Sequence, residues 1–268
     1  MRSFLLPAMV LVMSVFLVPC SSEAQMFDGT NLAPHGSMYG FPPYVFEGNR
    51  SIAITFVTSP EVLRELVPEP LVPNDETLMS LTIQELRVAR PGTLIYNEAL
   101  LSIPVSYGES TGSYIPILYL DKALGIVSGR EIWGYSKIDA EIEIVEKENQ
   151  MTARVVREGT TLMDVTLDLG PTPLPVTTLP DSRSFNVKAI PSASPGKTYD
   201  VNQITSSTMK DMKVEKLIPG QGKIAFGSSQ MDPLGKIPVI SIQNASFLVW
   251  DSVLDYDGIL YNYLTEEK

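Results

Sequence analysis

The alternation of apolar and polar side chains along the chain is mostly that of β-strands. Residues 51–58 are rich in β-branched side chains, and apolar and charged side chains alternate strictly over residues 138–145. A period of two residues places the two sets on opposite faces of a strand. Further segments with strand character are residues 78–88, 99–107, 113–120, 151–157, 160–169, 184–190, 200–208 and 223–226. The pattern predicts a β-rich fold in which strands outnumber helices.

Helical signals are few and short. Ser59 followed by Pro60 is typical of an N-cap with proline at the first helical position, and predicts a short helix that ends near Val67. A proline-rich connection over residues 171–180 is the strongest internal boundary. Residues 249–263 have mixed strand and helix character.

The first residues have the pattern of a signal peptide. Arg2 is followed by an apolar stretch over residues 4–18 and by Ser22-Glu23-Ala24, a small-x-small cleavage site. We expect residues 1–24 to be removed and residues 25–268 to form one exported domain, secreted or periplasmic. The apolar stretch is too short to favour a retained membrane span. A second interpretation is a lipoprotein signal in which Cys20 is lipidated.

Composition excludes several kinds of chemistry. The net charge of −11 disfavours nucleic acid and anionic membrane surfaces as partners, because phosphates would be repelled. Cys20 is the sole cysteine and His35 the sole histidine of the 268 residues. A disulfide, a thiolate nucleophile, a Ser-His-Asp triad and a histidine metal site are therefore disfavoured. Lysine, arginine, tyrosine and carboxylate side chains remain for covalent or acid-base work.

Lys137 stands at the end of the apolar and aromatic stretch Ile132-Trp133-Gly134-Tyr135. Burial in such surroundings disfavours the ammonium form of a lysine, and an unprotonated amine can attack a ketone to form a Schiff base. The alternative is that Lys137 begins an amphipathic strand and pairs in solvent with Asp139 on the same face. Spacing alone favours this second interpretation.

The segment around Lys137 resembles the active-site signature of the acetoacetate decarboxylase family. Gly129-Arg130-Glu131 is followed by Tyr135 and, two residues later, by the lysine. Other stretches fit the family in the same order: Asn49-Arg50, residues 66–71, Tyr96-Asn97-Glu98, Ile103-Pro104-Val105, Tyr119-Leu120-Asp121, residues 188–191 and residues 261–264. The resemblance covers nearly all of the chain after the signal peptide.

The resemblance implies an antiparallel closed or cone-like β-barrel with a few short helices, assembled as a homo-oligomer. Lys137 would be the imine-forming nucleophile, and the lysine of this family is a standard example of an activated amine. Arg50 and Glu98 would orient the carboxylate of a small oxo acid, and Tyr135 would form part of the pocket wall. Arg130 and Glu131 would hold the loop. Decarboxylation of a β-keto acid through an imine requires no metal and no organic cofactor.

Two departures from the family pattern leave the reaction open. Ile138 stands where the decarboxylases carry a second lysine. The second pocket glutamate of the family has no clear match: ungapped alignment from Glu98 places Ile83 there, with Glu85 two residues later on the same strand face. A Schiff-base aldolase or dehydratase acting on a larger oxo acid is therefore an alternative to a decarboxylase. A non-catalytic exported protein that binds a small ligand is another.

Overall fold

The computed structural model describes residues 39–175 and 178–266. The predicted signal peptide, Cys20 and His35 lie outside these residues, so export and lipidation stay predictions. None of the helices in the described ranges is long and apolar enough to cross a membrane.

Strands dominate the described part of the chain. The strands are β1 (Tyr44–Val57), β2 (Val72–Pro73), β3 (Leu78–Arg90), β4 (Leu94–Tyr107), β5 (Ser110–Leu120), β6 (Lys137–Asp139), β7 (Glu141–Lys147), β8 (Gln150–Arg157), β9 (Thr160–Leu169), β10 (Ser182–Pro191), β11 (Tyr199–Phe226) and β12 (Ser241–Asn262). The helices are α1 (Pro60–Leu66), α2 (Ala123–Trp133) and α3 (Tyr263–Glu266), with a 3-10 turn at Leu234–Lys236.

Seven of the strands form a ring. Their hydrogen-bonded order is β10-β5-β4-β3-β1-β12-β11, and β11 pairs again with β10, so that the order closes on itself. All of these pairings are antiparallel except β10 with β5. The meander β9-β8-β7 continues from the end of β11, and the short β6 pairs in parallel with β5. The expected β-rich, mostly antiparallel fold with a few short helices is confirmed.

Strands β1, β3 and β4 are buried on both faces. One face contributes to a large apolar cluster that also receives the meander and α1, and Ile52, Leu81 and Leu101 belong to it. The other face contributes to a second cluster, to which Phe46 and Leu86 belong. Because successive side chains of a strand point to opposite faces, each strand supplies the two clusters from alternate residues. The candidate site lies on the face of the second cluster.

The structure confirms some local predictions and corrects others. Ser59 caps α1 through its side chain, which accepts a hydrogen bond from the backbone of Val62. The alternating segment 138–145 is two strands rather than one, because the chain leaves β5 after Asp139 and pairs with β8 from Glu141. Residues 171–180, predicted to be an internal boundary, instead lie between β9 and β10, which belong to the same sheet. Helix α2 was not predicted.

Candidate functional site

Helix α2 and the turn after it place Lys137 in the second cluster. Gly134 ends the helix in the left-handed conformation, with φ +75°. A side chain at this position would also collide with Lys188, since a Cβ on Gly134 would lie 2.6 Å from the Lys188 Cα atom. The backbone amide of Tyr135 then donates to the carbonyl of Gly129 at 3.2 Å, which folds the chain back over the helix. The turn brings the short strand β6, and with it Lys137, against β5.

The signature residues Gly129, Arg130 and Glu131 support this arrangement in different ways. A Cβ on Gly129 would lie 2.6 Å from Cδ and 3.1 Å from Nζ of Lys137, so the glycine leaves the space that the lysine occupies. The Arg130 guanidinium donates to the carbonyl of Lys137 at 3.1 Å. Glu131 accepts a hydrogen bond from the Tyr39 hydroxyl. Arg130 and Glu131 thus hold the backbone through separate partners, and both are exposed.

The Lys137 amine is buried beside a carboxylate. Only 8% of the Lys137 side chain and 6% of the Glu98 side chain are exposed, and Nζ lies 3.4 Å from Glu98 Oε2. The amine also lies 5.4 Å from the ring centre of Tyr96 and 5.5 Å from that of Tyr135. The interpretation that Lys137 pairs with Asp139 in solvent is therefore wrong.

A directional chain of hydrogen bonds supports Glu98 from behind. The indole of Trp250 donates to Ser51 Oγ at 2.7 Å, and Ser51 donates to Gln84 Oε1 at 2.8 Å. The amide of Gln84 then donates to Glu98 Oε1 at 2.8 Å. An ionised carboxylate can only accept, so the Gln84 amide presents its NH₂ group to Glu98 and its oxygen to Ser51, which donates to that oxygen while accepting from the indole. Glu98 is thereby held with its second oxygen toward Lys137.

These groups line one side of a cavity of about 290 Å³. Its walls combine the polar chain just described with aromatic and aliphatic side chains from the ring and from Tyr135. The apolar lining side chains include Phe46, Leu86, Leu100, Ile115, Leu118, Met209, Met212, Leu248 and Leu254. A buried amine facing an apolar cavity is suited to covalent chemistry on a small organic molecule.

The phenols of the cavity stay protonated at ordinary pH. Burial raises the pKa of Tyr96 well above its usual value, and the nearby Glu98 adds to the effect. Burial likewise raises the pKa of Tyr135, although hydrogen bonds such as the one with Ser207 act in the opposite direction. Both rings can therefore face a cation as neutral π-systems.

The structure brings Lys137, Glu98 and Tyr135 together and places Arg50 and Glu85 elsewhere. Arg50 points to the opposite face of β1, where it forms an ion pair with Glu146, and 39% of its side chain is exposed. Glu85 pairs with Arg87 on the same side as Arg50. The placement of Arg50 and Glu85 in the pocket is thus corrected. The physical reason is strand parity, because a shift of one residue moves a side chain to the other face.

Gln84 occupies the pocket position for which sequence alignment offered Ile83 or Glu85. It lies directly opposite Glu98 in the pairing of β3 with β4. Gln84 has the parity of Leu86 and Val88, but Thr82 is also polar and lines the same cavity, so a polar residue on this face gives no clear signal in the sequence.

Ile138 does not face the cavity. It packs against the first apolar cluster, on the face of β6 opposite to Lys137. A charge at this position would therefore point away from the amine.

The described residues offer no evident metal site. Across residues 39–175 and 178–266, no three histidine, cysteine or acidic side chains are grouped closely enough to hold a metal ion.

Comparison with known proteins identifies relatives that span most of the chain. The family model described as acetoacetate decarboxylase matches residues 31–264. An acetoacetate decarboxylase of Ralstonia nicotianae is 29% identical over 241 residues, which cover 84% of this chain and 91% of that protein. Two solved structures share the fold. One is the acetoacetate decarboxylase of Legionella pneumophila, with a TM-score of 0.76, 23% identity, and 87% and 93% of the two chains covered. The other is the enduracididine biosynthesis enzyme MppR complexed with the condensation product of pyruvate and imidazole 4-carboxaldehyde, with a TM-score of 0.73, 15% identity, and 85% and 93% covered. The chain belongs to the acetoacetate decarboxylase family.

Proposed function

We propose that the protein is a Schiff-base carboxy-lyase that decarboxylates a β-keto acid through an imine on Lys137. The observation that carries the proposal is the buried Lys137 amine, 3.4 Å from the Glu98 carboxylate on one side of a mainly apolar cavity. The curated relatives named acetoacetate decarboxylase support the reaction class.

The reaction follows from the nucleophile. The Lys137 amine adds to the ketone carbon, and loss of water leaves a protonated imine. The bond to the carboxylate then breaks and carbon dioxide leaves, while the electron pair enters the imine to give a neutral enamine. A proton adds to the enamine carbon, and water hydrolyses the resulting imine to the ketone and the free lysine. The imine itself is the electron sink.

The surroundings of the amine fit these steps. Glu98 is near enough to accept the proton that the ammonium must lose and to return it later. The faces of Tyr96 and Tyr135 would stabilise the cationic imine. Within residues 39–175 and 178–266, the only other cation that lines the cavity is Arg183, and its guanidinium is bound to Asp257. The substrate carboxylate would therefore be poorly solvated, which favours its loss as neutral carbon dioxide.

Borohydride trapping tests the nucleophile. With acetoacetate and sodium borohydride, peptide mass spectrometry should find the reduced adduct on Lys137, and carbon dioxide should be released in the untrapped reaction. Lys137→Ala and Lys137→Arg should both abolish the adduct, since a guanidinium stays protonated. The matched control is Lys188→Arg. Lys188 is a partly buried lysine whose pKa is lowered by burial, but it donates to the Ile132 carbonyl and does not line the cavity.

A Schiff-base aldolase or dehydratase acting on a larger oxo acid is the second candidate. Two observations favour it: Gln84, an amide, faces Glu98 where the family carries a second acid, and Arg50 lies outside the cavity. MppR, which shares the fold, was solved with a condensation product of pyruvate. An adduct on Lys137 without release of carbon dioxide would select this candidate. A non-catalytic ligand-binding role would give no adduct at all. Export and assembly as a homo-oligomer remain part of the proposal.

A further inference from the structure

The cavity continues well past the reactive amine. One row of directly paired residues crosses five strands, from β1 to β6, and every member of the row lines the cavity. The row consists of Ala53, Thr82, Leu100, Leu118 and Lys137. The row is aliphatic apart from Thr82 and the lysine.

The distances along this row show how much space lies beyond the amine. The Lys137 side chain reaches back to Glu98 on β4, and Ala53 lies two strands further, on β1. Neighbouring strands are about 4.8 Å apart, so roughly 10 Å of cavity floor separates the reactive end from Ala53. The volume agrees with this extent. The cavity measures about 290 Å³, whereas a protein cavity of about 150 Å³ holds benzene. Acetoacetate, which is similar to benzene in size, would leave about half of the space unfilled.

The free space is lined mainly by apolar side chains, with hydroxyl groups such as those of Ser51, Thr82 and Ser102 between them. Met209, Met212, Leu248 and Leu254, from β11 and β12, extend the apolar lining. Methionine side chains adapt to ligands of different shape. Among the lining residues that the structure describes, Arg183 is the only cation besides Lys137, and it is already bound to Asp257. The far part of the cavity therefore suits a hydrocarbon group rather than a second carboxylate.

We propose that the substrate is a β-keto acid with an apolar tail, the tail lying along the row from Leu118 to Ala53. This inference rests on the proposed function, because it takes Lys137 as the group that binds the ketone. The reaction then releases a methyl ketone that carries the same tail. Each buried methylene can strengthen transition-state binding by up to about fourfold.

A chain-length series tests the inference. The substrates are acetoacetate, 3-oxohexanoate and 3-oxooctanoate, and two quantities are measured for each: the kcat/KM for carbon dioxide release and the rate of borohydride-trapped adduct on Lys137. Both should rise at least tenfold from acetoacetate to 3-oxooctanoate. Ala53→Leu should remove most of this gain, so that the ratio of the 3-oxooctanoate value to the acetoacetate value falls severalfold. The matched control is Ala225→Leu, on an exposed part of β11 outside the cavity, and should change neither substrate.

The outcomes separate the two proposals. If acetoacetate reacts at Lys137 and the longer acids react equally well or less well, the apolar-tail inference is overturned while the proposed function stands. The same holds if Ala53→Leu affects acetoacetate and 3-oxooctanoate alike. If no acid gives an adduct on Lys137, both proposals fail. A length-dependent adduct rate without carbon dioxide keeps the tail site and rejects decarboxylation.

Discussion

Gly129 has no side chain, and the Lys137 side chain occupies the space that a Cβ atom would fill. In Gly129→Ala, the new Cβ would lie 2.6 Å from Lys137 Cδ and 2.7 Å from Cε. Carbon atoms in contact are normally about 3.5–4.0 Å apart, so the lysine side chain must move by about 1 Å. Because a lysine side chain is flexible, this movement costs the fold little. Alanine in place of glycine in a helix stabilises it by about 1 kcal/mol.

The variant should therefore fold as well as the natural protein and react poorly. A displacement of about 1 Å at a reacting group can cost about a hundredfold in rate. We expect kcat/KM for decarboxylation and the rate of borohydride trapping to fall by about that factor. The melting temperature should stay equal or rise by up to about 3 °C, as expected from about 1 kcal/mol in a chain of this size.

Gly125→Ala provides the matched control. Gly125 lies one turn earlier on α2 and is also buried, but its Cβ would meet the Leu120 side chain at 2.9 Å instead of the lysine. This variant should have the same gain in helix propensity with nearly natural activity. Full activity of Gly129→Ala, or an equal loss in both variants, would refute the reasoning.

Three further predictions concern Gln84, which supports Glu98; Arg50, which lies outside the cavity; and the buried ion pair of Asp232 with Arg157. Gln84→Glu should lower kcat/KM at neutral pH, and kcat/KM should recover as the pH falls, since a protonated glutamate can replace the amide donor. The pH profile of kcat/KM for Gln84→Met should run parallel to that of the natural protein. Parallel pH profiles for both variants would contradict this role of Gln84. Arg50→Ala should leave kcat/KM within about twofold and stability within about 2 kcal/mol, because it removes a partly exposed ion pair with Glu146 and a cation–π contact with Phe247. A tenfold loss of kcat/KM would place Arg50 at the substrate. Asp232 is buried, which alone would raise its pKa, but hydrogen bonds from Tyr119, Ser229 and Arg157 hold that pKa below its usual value. Its contribution to stability is therefore present above about pH 4 and lost as the pH falls below that. Asp232→Asn should cost about 3 kcal/mol at pH 7 and remove this part of the acid dependence, measured by urea unfolding from pH 3 to 7; an unchanged unfolding midpoint at pH 7 would show that the pair is dispensable.

The residue pattern predicted strands such as β8 because buried and more exposed residues alternate along them. It could not assign each residue to a face, since this requires the register across the sheet. In β1 the register shifts between Phe46 and Asn49, where Gly48 adopts φ +67°. A bulge of this kind changes the parity of all residues after it. The sequence match therefore located Arg50 correctly along the chain and wrongly with respect to the cavity.

The residues around the reactive amine could be predicted only where a chemically reactive or polar side chain also matches the family signature. Lys137, Glu98 and Tyr135 were named from the sequence, and the structure places them around one cavity. Gln84 was missed because β3 carries several polar side chains and an amide among them has no chemical signature. Helix α2 was missed because three of its four buried residues, Gly125, Ser128 and Gly129, are small, so that no apolar period of 3.6 residues marks its packed face.

The hydrogen bond between Trp250 and Ser51 joins residues 199 positions apart in the chain. Lys137 and Glu98 are only 39 positions apart and can meet early, but their support is missing until β12 docks on β1. Contacts of such long sequence separation form slowly. During folding, the reactive amine should therefore acquire its final environment late, when the ring of strands closes. The rate at which borohydride-trappable lysine appears after dilution from denaturant would then report ring closure directly.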